Sequence, residues 1–219
     1  MGHSVYRSKK IRFQSKDDLE KVKKNPTEWA LQNIVYDYNR HGFRCKNFKD
    51  INWAESIVVL GCSITTGVGL AEQDTVTSRI ESITGIPTIN LGISGSAVDL
   101  ACWNSLILHN HFPRPKAIVH LWTQLDRYTN LTRSGLTSYN ANNSDYIIEH
   151  DWGERSKFYI KTDRELWKDK TKYVEASFFK HTALTMNIPG IEMVDEAEDA
   201  WHPGKETIKL MAKLVCEKL

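Results

Sequence analysis

Short uninterrupted apolar runs alternate along this chain with longer stretches in which apolar positions recur every three to four residues. Ile57-Val58-Val59-Leu60 is one such run, and its lack of polar alternation predicts a strand buried on both faces. Val76, Ile80 and Ile83 follow at helical spacing, and Gly85 supplies a stop. A second strand is predicted over 87–91, then a glycine-serine turn and a helix over 97–109. Pro113 and Pro115 punctuate the chain before a third run, Ala117-Ile118-Val119-His120-Leu121. Residues 129–156 are rich in Asn, Ser, Thr and Gly and predict a long surface excursion. Residues 157–185 mix the two periods and do not separate into helix and strand. Ile191–Val194 predicts the last strand, and Pro203 is placed to open a helix running to the C-terminus. Glu206 in its first turn and Lys213 and Lys218 near its end match the helix dipole.

Strand-helix alternation of this kind predicts an α/β domain with a parallel sheet covered by helices on both faces. A length of 219 residues suits one such domain. The division read from the pattern is an N-terminal extension over 1–50, packing on a domain over 51–219. Within the extension, Leu19, Val22, Trp29, Leu31, Ile34 and Val35 predict helical stretches broken at Pro26.

Charge changes this picture little. The 29 basic and 27 acidic side chains leave a net charge of +2, which selects no partner class. The lysines at 9, 10, 21, 23 and 24 are interleaved with Asp17, Asp18 and Glu20, as on a solvated helix face, and predict no nucleic-acid surface. Cys45, Cys62, Cys102 and Cys216 form no C-x-x-C pair, which predicts a reduced protein without a cysteine zinc site. No apolar stretch approaches the ~20 residues of a membrane span, and the N-terminus lacks a signal-peptide core, so a cytoplasmic location is expected. Oligomeric state is not legible.

The candidate chemistry lies just after the predicted strands, where a parallel sheet collects its functional loops. Ser63 follows the first strand in Gly61-Cys62-Ser63-Ile64-Thr65-Thr66-Gly67. Gly92-Ile93-Ser94-Gly95-Ser96 follows the second, Trp122-Thr123-Gln124 the third, and Asp199-Ala200-Trp201-His202-Pro203-Gly204 the last. A serine hydroxyl becomes a nucleophile only when a base takes its proton. His202 is the candidate base, and Asp199 is near enough in sequence to orient it. The backbone N–H groups of Ser63 and Gly95, with the side-chain amide of Gln124, are candidate oxyanion donors. Trp122 and Trp201 flank these positions and are candidate substrate-binding rings. Cys62 reads as a small packing residue rather than a second nucleophile. His109 and His111 read as an exposed helix end rather than a metal pair, and no metal or organic cofactor is expected.

The blocks Gly61-Cys62-Ser63-Ile64-Thr65, Asn90-Leu91-Gly92-Ile93-Ser94-Gly95-Ser96 and Asp199-x-x-His202-Pro203-Gly204 resemble those of the SGNH, or GDSL-type, hydrolase superfamily. The similarity spans about residues 55–125 and 190–219. It implies a flavodoxin-like three-layer α/β/α sandwich and hydrolysis of esters or thioesters, often acetyl groups on carbohydrates. It also implies Ser63 as nucleophile, Gly95 as oxyanion donor, His202 as base and Asp199 as its partner. Two positions depart from the pattern: Cys62 stands where the family has aspartate, and Gln124 where it has asparagine after glycine. The chain also reads as one strand-helix unit short between its third and last strands. The α/β-hydrolase elbow G-x-S-x-G does not fit, because Thr65 takes the second glycine's place. The expected activity is hydrolysis of a small-molecule or glycan ester through an acyl-enzyme. An acyltransferase using the same residues, and a non-catalytic binding module on the same fold, are the alternatives.

Overall fold

Apolar runs set between glycines and prolines build the centre of the molecule. The computed structural model describes residues 10–12, 34–132, 135–139, 152–197 and 201–219. Two short strands, β1 (Lys10–Arg12) and β2 (Val35–Asp37), pair antiparallel. The first central strand is β3 (Ile57–Gly61), followed by a single helical turn, α1 (Ser63–Thr66), and by α2 (Val76–Thr84). Then come β4 (Thr88–Gly92), α3 (Val98–His111) and β5 (Ala117–Trp122). An antiparallel hairpin, β6 (Tyr128–Thr132) and β7 (Gly135–Tyr139), precedes α4 (Trp152–Trp167). The chain closes with β8 (Lys172–Ser177), α5 (Lys180–Met186) and α6 (Lys205–Cys216).

The central sheet has the order β4-β3-β5-β8, and every pairing is parallel. Alternate residues of β3 enter different layers, as the twofold period of a strand requires. Ile57 and Val59 pack with Val76 and Ile80 of α2 and with Ile208, Met211, Ala212 and Val215 of α6. Val58 and Leu60 pack with Leu100 and Leu108 of α3, Trp167 of α4, and Phe43, Phe48 and Trp53 from the chain ahead of β3. Both sheet faces are therefore covered, which explains why the central strands read as continuous apolar runs. The register aligns Gly61 with Gly92 and with Leu121, and Trp122 with Ser177, so all four strands end along one rim.

Four expectations are corrected. The mixed segment contains most of α4 and all of β8, so the strand-helix unit read as missing is present. Its strand was hidden because Lys172 and Glu175 interrupt the apolar pattern. Conversely, 191–194 is not a strand. Only Gly190 bridges Ser177, after which the N–H groups of Val194 and Asp195 bond Thr207 Oγ1 (2.9 and 3.1 Å) and draw the chain toward α6. Ile34 and Val35 lead into strand β2 rather than a helix, whereas Leu19, Val22, Trp29 and Leu31 lie outside the described residues. The polar excursion holds the β6–β7 hairpin, pinned where Thr129 Oγ1 accepts from Ala97 N (3.1 Å) and Asp99 accepts from Thr129 N (3.1 Å). Among the described residues no helix is long and apolar enough to cross a membrane.

Candidate active site

The rim holds a serine and a histidine in direct contact. Ser63 is the first residue of α1, reached from β3 through Cys62 in extended conformation. So abrupt a turn from strand to helix needs space at the strand ends. A Cβ on Gly61 would stand 2.2 Å from Thr65 Oγ1 and 2.7 Å from the Leu121 carbonyl, and one on Gly92 2.5 Å from Thr66 N. Only glycine lets α1 settle there. Asn90 ties the turn to β4: its Nδ2 donates to Thr65 O (2.8 Å) and its Oδ1 accepts from Gly92 N (2.9 Å). Cys62 is buried in the apolar layer beneath, in a packing role.

His202 arrives from the loop before α6, and its Nε2 lies 2.8 Å from Ser63 Oγ. That is hydrogen-bonding distance for proton transfer. The loop is held at its base by an aspartate that the sequence reading missed. Asp195 accepts from Thr207 N (2.8 Å), Thr207 Oγ1 (2.6 Å) and Glu206 N (2.9 Å), capping α6 from outside the helix. Its carbonyl accepts from Gly204 N (3.0 Å), and Ala197 N donates to His202 O (2.7 Å), closing the loop that carries the imidazole. Both Asp195 carboxylate oxygens are committed to α6, so Asp195 positions His202 through the loop. The only sequence cue was an acid ahead of a predicted helix start. Asp195→Ala is expected to destabilise the protein by about 1–2 kcal/mol, the cost of a lost cap. Thermal melts check this; an unchanged Tm would take the cap out of the protein's stability.

Asp199, expected to orient His202, lies outside the described residues. Gly95 takes φ +77° in a turn closed by Ser96 N donating to Ile93 O (3.0 Å), the glycine-requiring position of a type II turn. That bond leaves the Gly95 N–H unused by the turn itself. The turn is fastened to the strand that leads to Ser63 at one atom, the Gly61 carbonyl, which accepts from Ile93 N (3.0 Å) and Ser96 Oγ (3.2 Å). Gln124 is half-buried on the β5 loop. Arg127 Nη2 donates to its Oε1 (2.9 Å), so the amide's NH2 is the end suited to donate to an oxyanion.

The two tryptophans separate. Trp201 is 64 % exposed beside His202. Trp122 is 1 % exposed, stacks on His120 (4.1 Å between ring centres) and donates its Nε1–H to Glu175 (2.7 Å). A ring so enclosed has no face for substrate, and the expectation of a binding role for Trp122 is withdrawn. Among the described residues no group of three or more His, Cys, Asp or Glu side chains is arranged to hold a metal ion.

No protein-family model matches this chain, and no curated protein matches it in sequence. Solved structures do match in shape. A carbohydrate esterase whose active site displays divergent catalytic and non-catalytic binding functions matches with a TM-score of 0.50 at 12 % identity, covering 78 % of this chain and 70 % of the other. The fold, a parallel sheet covered by helices on both faces, is shared with that esterase. Similar matches are an acetyl xylan esterase from the rumen bacterium Butyrivibrio proteoclasticus and a member of the lipolytic G-D-S-L family from Veillonella parvula DSM 2008. The first has a TM-score of 0.49 at 9 % identity, covering 76 % of this chain and 64 % of that one. The second has a TM-score of 0.47 at 16 % identity, covering 74 % and 96 %. At these identities the likeness is one of fold alone, and the chemistry must be argued from this chain's own residues.

Proposed function

We propose that this chain is a serine ester hydrolase of the SGNH type. The observation that carries the reading is the 2.8 Å contact between Ser63 Oγ and His202 Nε2 at the carboxyl ends of the sheet strands. Ser63 Oγ attacks the acyl carbonyl carbon as its proton passes to His202 Nε2. The carbonyl oxygen takes up the negative charge, met by the N–H groups of Ser63 and Gly95 and by the Gln124 amide. As the first residue of a helical turn, Ser63 has an N–H with no intrahelical acceptor, which suits it to this role. Collapse breaks the ester C–O bond, and His202 returns the proton to the departing alcohol. Water, deprotonated by His202, then attacks the acyl-serine; the acyl C–Oγ bond breaks, the acid leaves, and His202 returns the proton to Ser63 Oγ. Asp199 serves as the partner that holds the imidazole in the required tautomer. Trp201, exposed beside His202, contacts the alcohol portion in this reading. The carbohydrate-esterase and acetyl-xylan-esterase neighbours favour a small acyl group on a sugar hydroxyl as substrate.

A fluorophosphonate probe tests the reading without knowledge of the substrate. The expected result is one covalent adduct per chain, mapped to the peptide containing Ser63 and absent from Ser63→Ala. Folded protein that takes up no probe would overturn the hydrolase reading and direct attention to glycan binding without turnover. If hydrolysis is found, adding a competing alcohol separates it from acyl transfer by the product formed.

A further inference from the structure

A turn of four residues has no helical stability of its own, so the position of Ser63 depends on whatever grips the two ends of α1. The front is held by the close packing on Gly61 and Gly92. The back is held by a buried arginine from the N-terminal segment, 22 residues from Thr66 in sequence. Arg44 is 1 % exposed. Its Nη1 donates to the carbonyls of Thr66 (3.2 Å) and Gly67 (2.9 Å), and its Nη2 to that of Leu70 (3.0 Å). Its Nε lies 2.7 Å from Glu72 Oε2, and its guanidinium sits over the Tyr36 ring at 4.4 Å. Tyr36 OH in turn accepts from Gly69 N at 2.6 Å.

We propose that Arg44 is a positioning residue for Ser63, and that the segment carrying Tyr36 and Arg44 completes the active site rather than merely covering the sheet. The inference rests on the hydrolase reading above. The path is short. Arg44 fixes the Gly67 carbonyl, and Gly67 N donates to Ser63 O (3.0 Å), joined by Val68 N on the same carbonyl (3.2 Å). Two hydrogen bonds thus link the guanidinium to the backbone of the nucleophile. Carbonyls at a helix end lack intrahelical donors and favour a cation, so this end of α1 is where a buried positive charge is accepted. Gly67 has φ +77°, and a Cβ there would come within 3.1 Å of Arg44 Nη1. A lysine cannot replace this arrangement. Its ammonium lacks the planar fork that reaches three carbonyls while stacking on an aromatic face.

The test compares wild type, Arg44→Lys and Tyr36→Phe by fluorophosphonate labelling rate and steady-state ester hydrolysis, well below each protein's own melting temperature. Arg44→Lys is expected to lower the labelling rate and kcat by about 10–100-fold, the penalty of a nucleophile displaced by ~1 Å, with KM moved by less than about threefold. Tyr36→Phe keeps the ring under the guanidinium but removes the acceptor for Gly69 N, and is expected to lower both rates by about 3–10-fold. Arg44→Ala with added guanidinium ion at sub-denaturing concentration is expected to regain part of the lost rate. A purely structural arginine would lower the melting temperature yet leave the folded protein's kcat intact, so folded Arg44→Lys that labels at the wild-type rate overturns the proposal. If that variant does not fold, wild-type labelling of Tyr36→Phe overturns it instead. Wild-type protein that fails to label removes the hydrolase reading itself, an outcome distinct from either.

Discussion

Replacing Ser63 with alanine is expected to lower kcat for a short acyl ester by about 10⁴–10⁶-fold while leaving the fold intact. On the proposed mechanism the substitution removes the oxygen that would form the acyl-enzyme and nothing that supports the sheet. Ser63 is partly exposed at the start of α1, and alanine is at least as good a helix former. The rate that remains would come from the oxyanion donors acting on bound water. His202→Ala is expected to fall into the same range. The double variant should be little worse than either single one, because nucleophile and base act as a unit. Steady-state kinetics on the four proteins decide the matter. Ser63→Ala retaining about a tenth of the wild-type kcat or more would remove serine catalysis from this chain.

Asp163→Ala is expected to give the largest stability loss, about 3–5 kcal/mol, read as a fall in Tm of roughly 6–20 °C for a chain of this size. Asp163 and His120 meet at 2.9 Å with side chains 1 % and 0 % exposed. Tyr173 OH donates to the same carboxylate oxygen at 2.8 Å. Burial alone would push the Asp163 carboxyl up, but attraction to His120, helped by the polar groups of Ser105 and Tyr173 around it, outweighs it and holds the group below its ordinary range. Removing the carboxylate leaves a buried imidazole without its ion-pair partner and a phenol without its acceptor, which costs more than the pair itself is worth. A depressed carboxyl binds fewer protons in the folded than in the unfolded state. Its contribution is therefore present above the unfolded value, near pH 4, and is lost as the pH falls through the lower folded value. Wild-type Tm should drop more steeply below about pH 4 than that of Asp163→Asn. The exposed pair Lys180–Glu192 is the control, and Lys180→Ala should shift Tm by no more than about 1 °C. Equal losses from the two substitutions would show that the buried pair has no special place in stability.

The same buried network explains why part of the fold was hard to read. Glu175 breaks the apolar pattern of β8, and only in three dimensions do Arg164 (2.7 Å) and the Trp122 indole (2.7 Å) satisfy it. Trp122 itself ends a strand and sits beside the predicted site in sequence, yet the pleat turns its ring into the core rather than onto the rim. Residues 191–194 have strand-like composition, but the Thr207 hydroxyl takes the N–H groups of Val194 and Asp195 and turns the chain toward α6. In each case a polar partner distant in sequence outweighed a local preference.

By itself the sequence determined what depends on near neighbours. The apolar runs became β3, β4 and β5. Glycine stands at 61, 92 and 95, where close packing or positive φ requires it, and a serine and a histidine each follow the sheet in the expected order. These features follow from backbone sterics and side-chain periodicity, which act over a few residues. Only the tertiary structure decided the rest: the 2.8 Å meeting of Ser63 and His202 across 139 residues, the capping of α6 by Asp195, the burial of Trp122, and the grip of Arg44 on the turn behind Ser63. A buried charge or hydroxyl takes whichever partner packing brings within about 3 Å, and no local pattern encodes that choice.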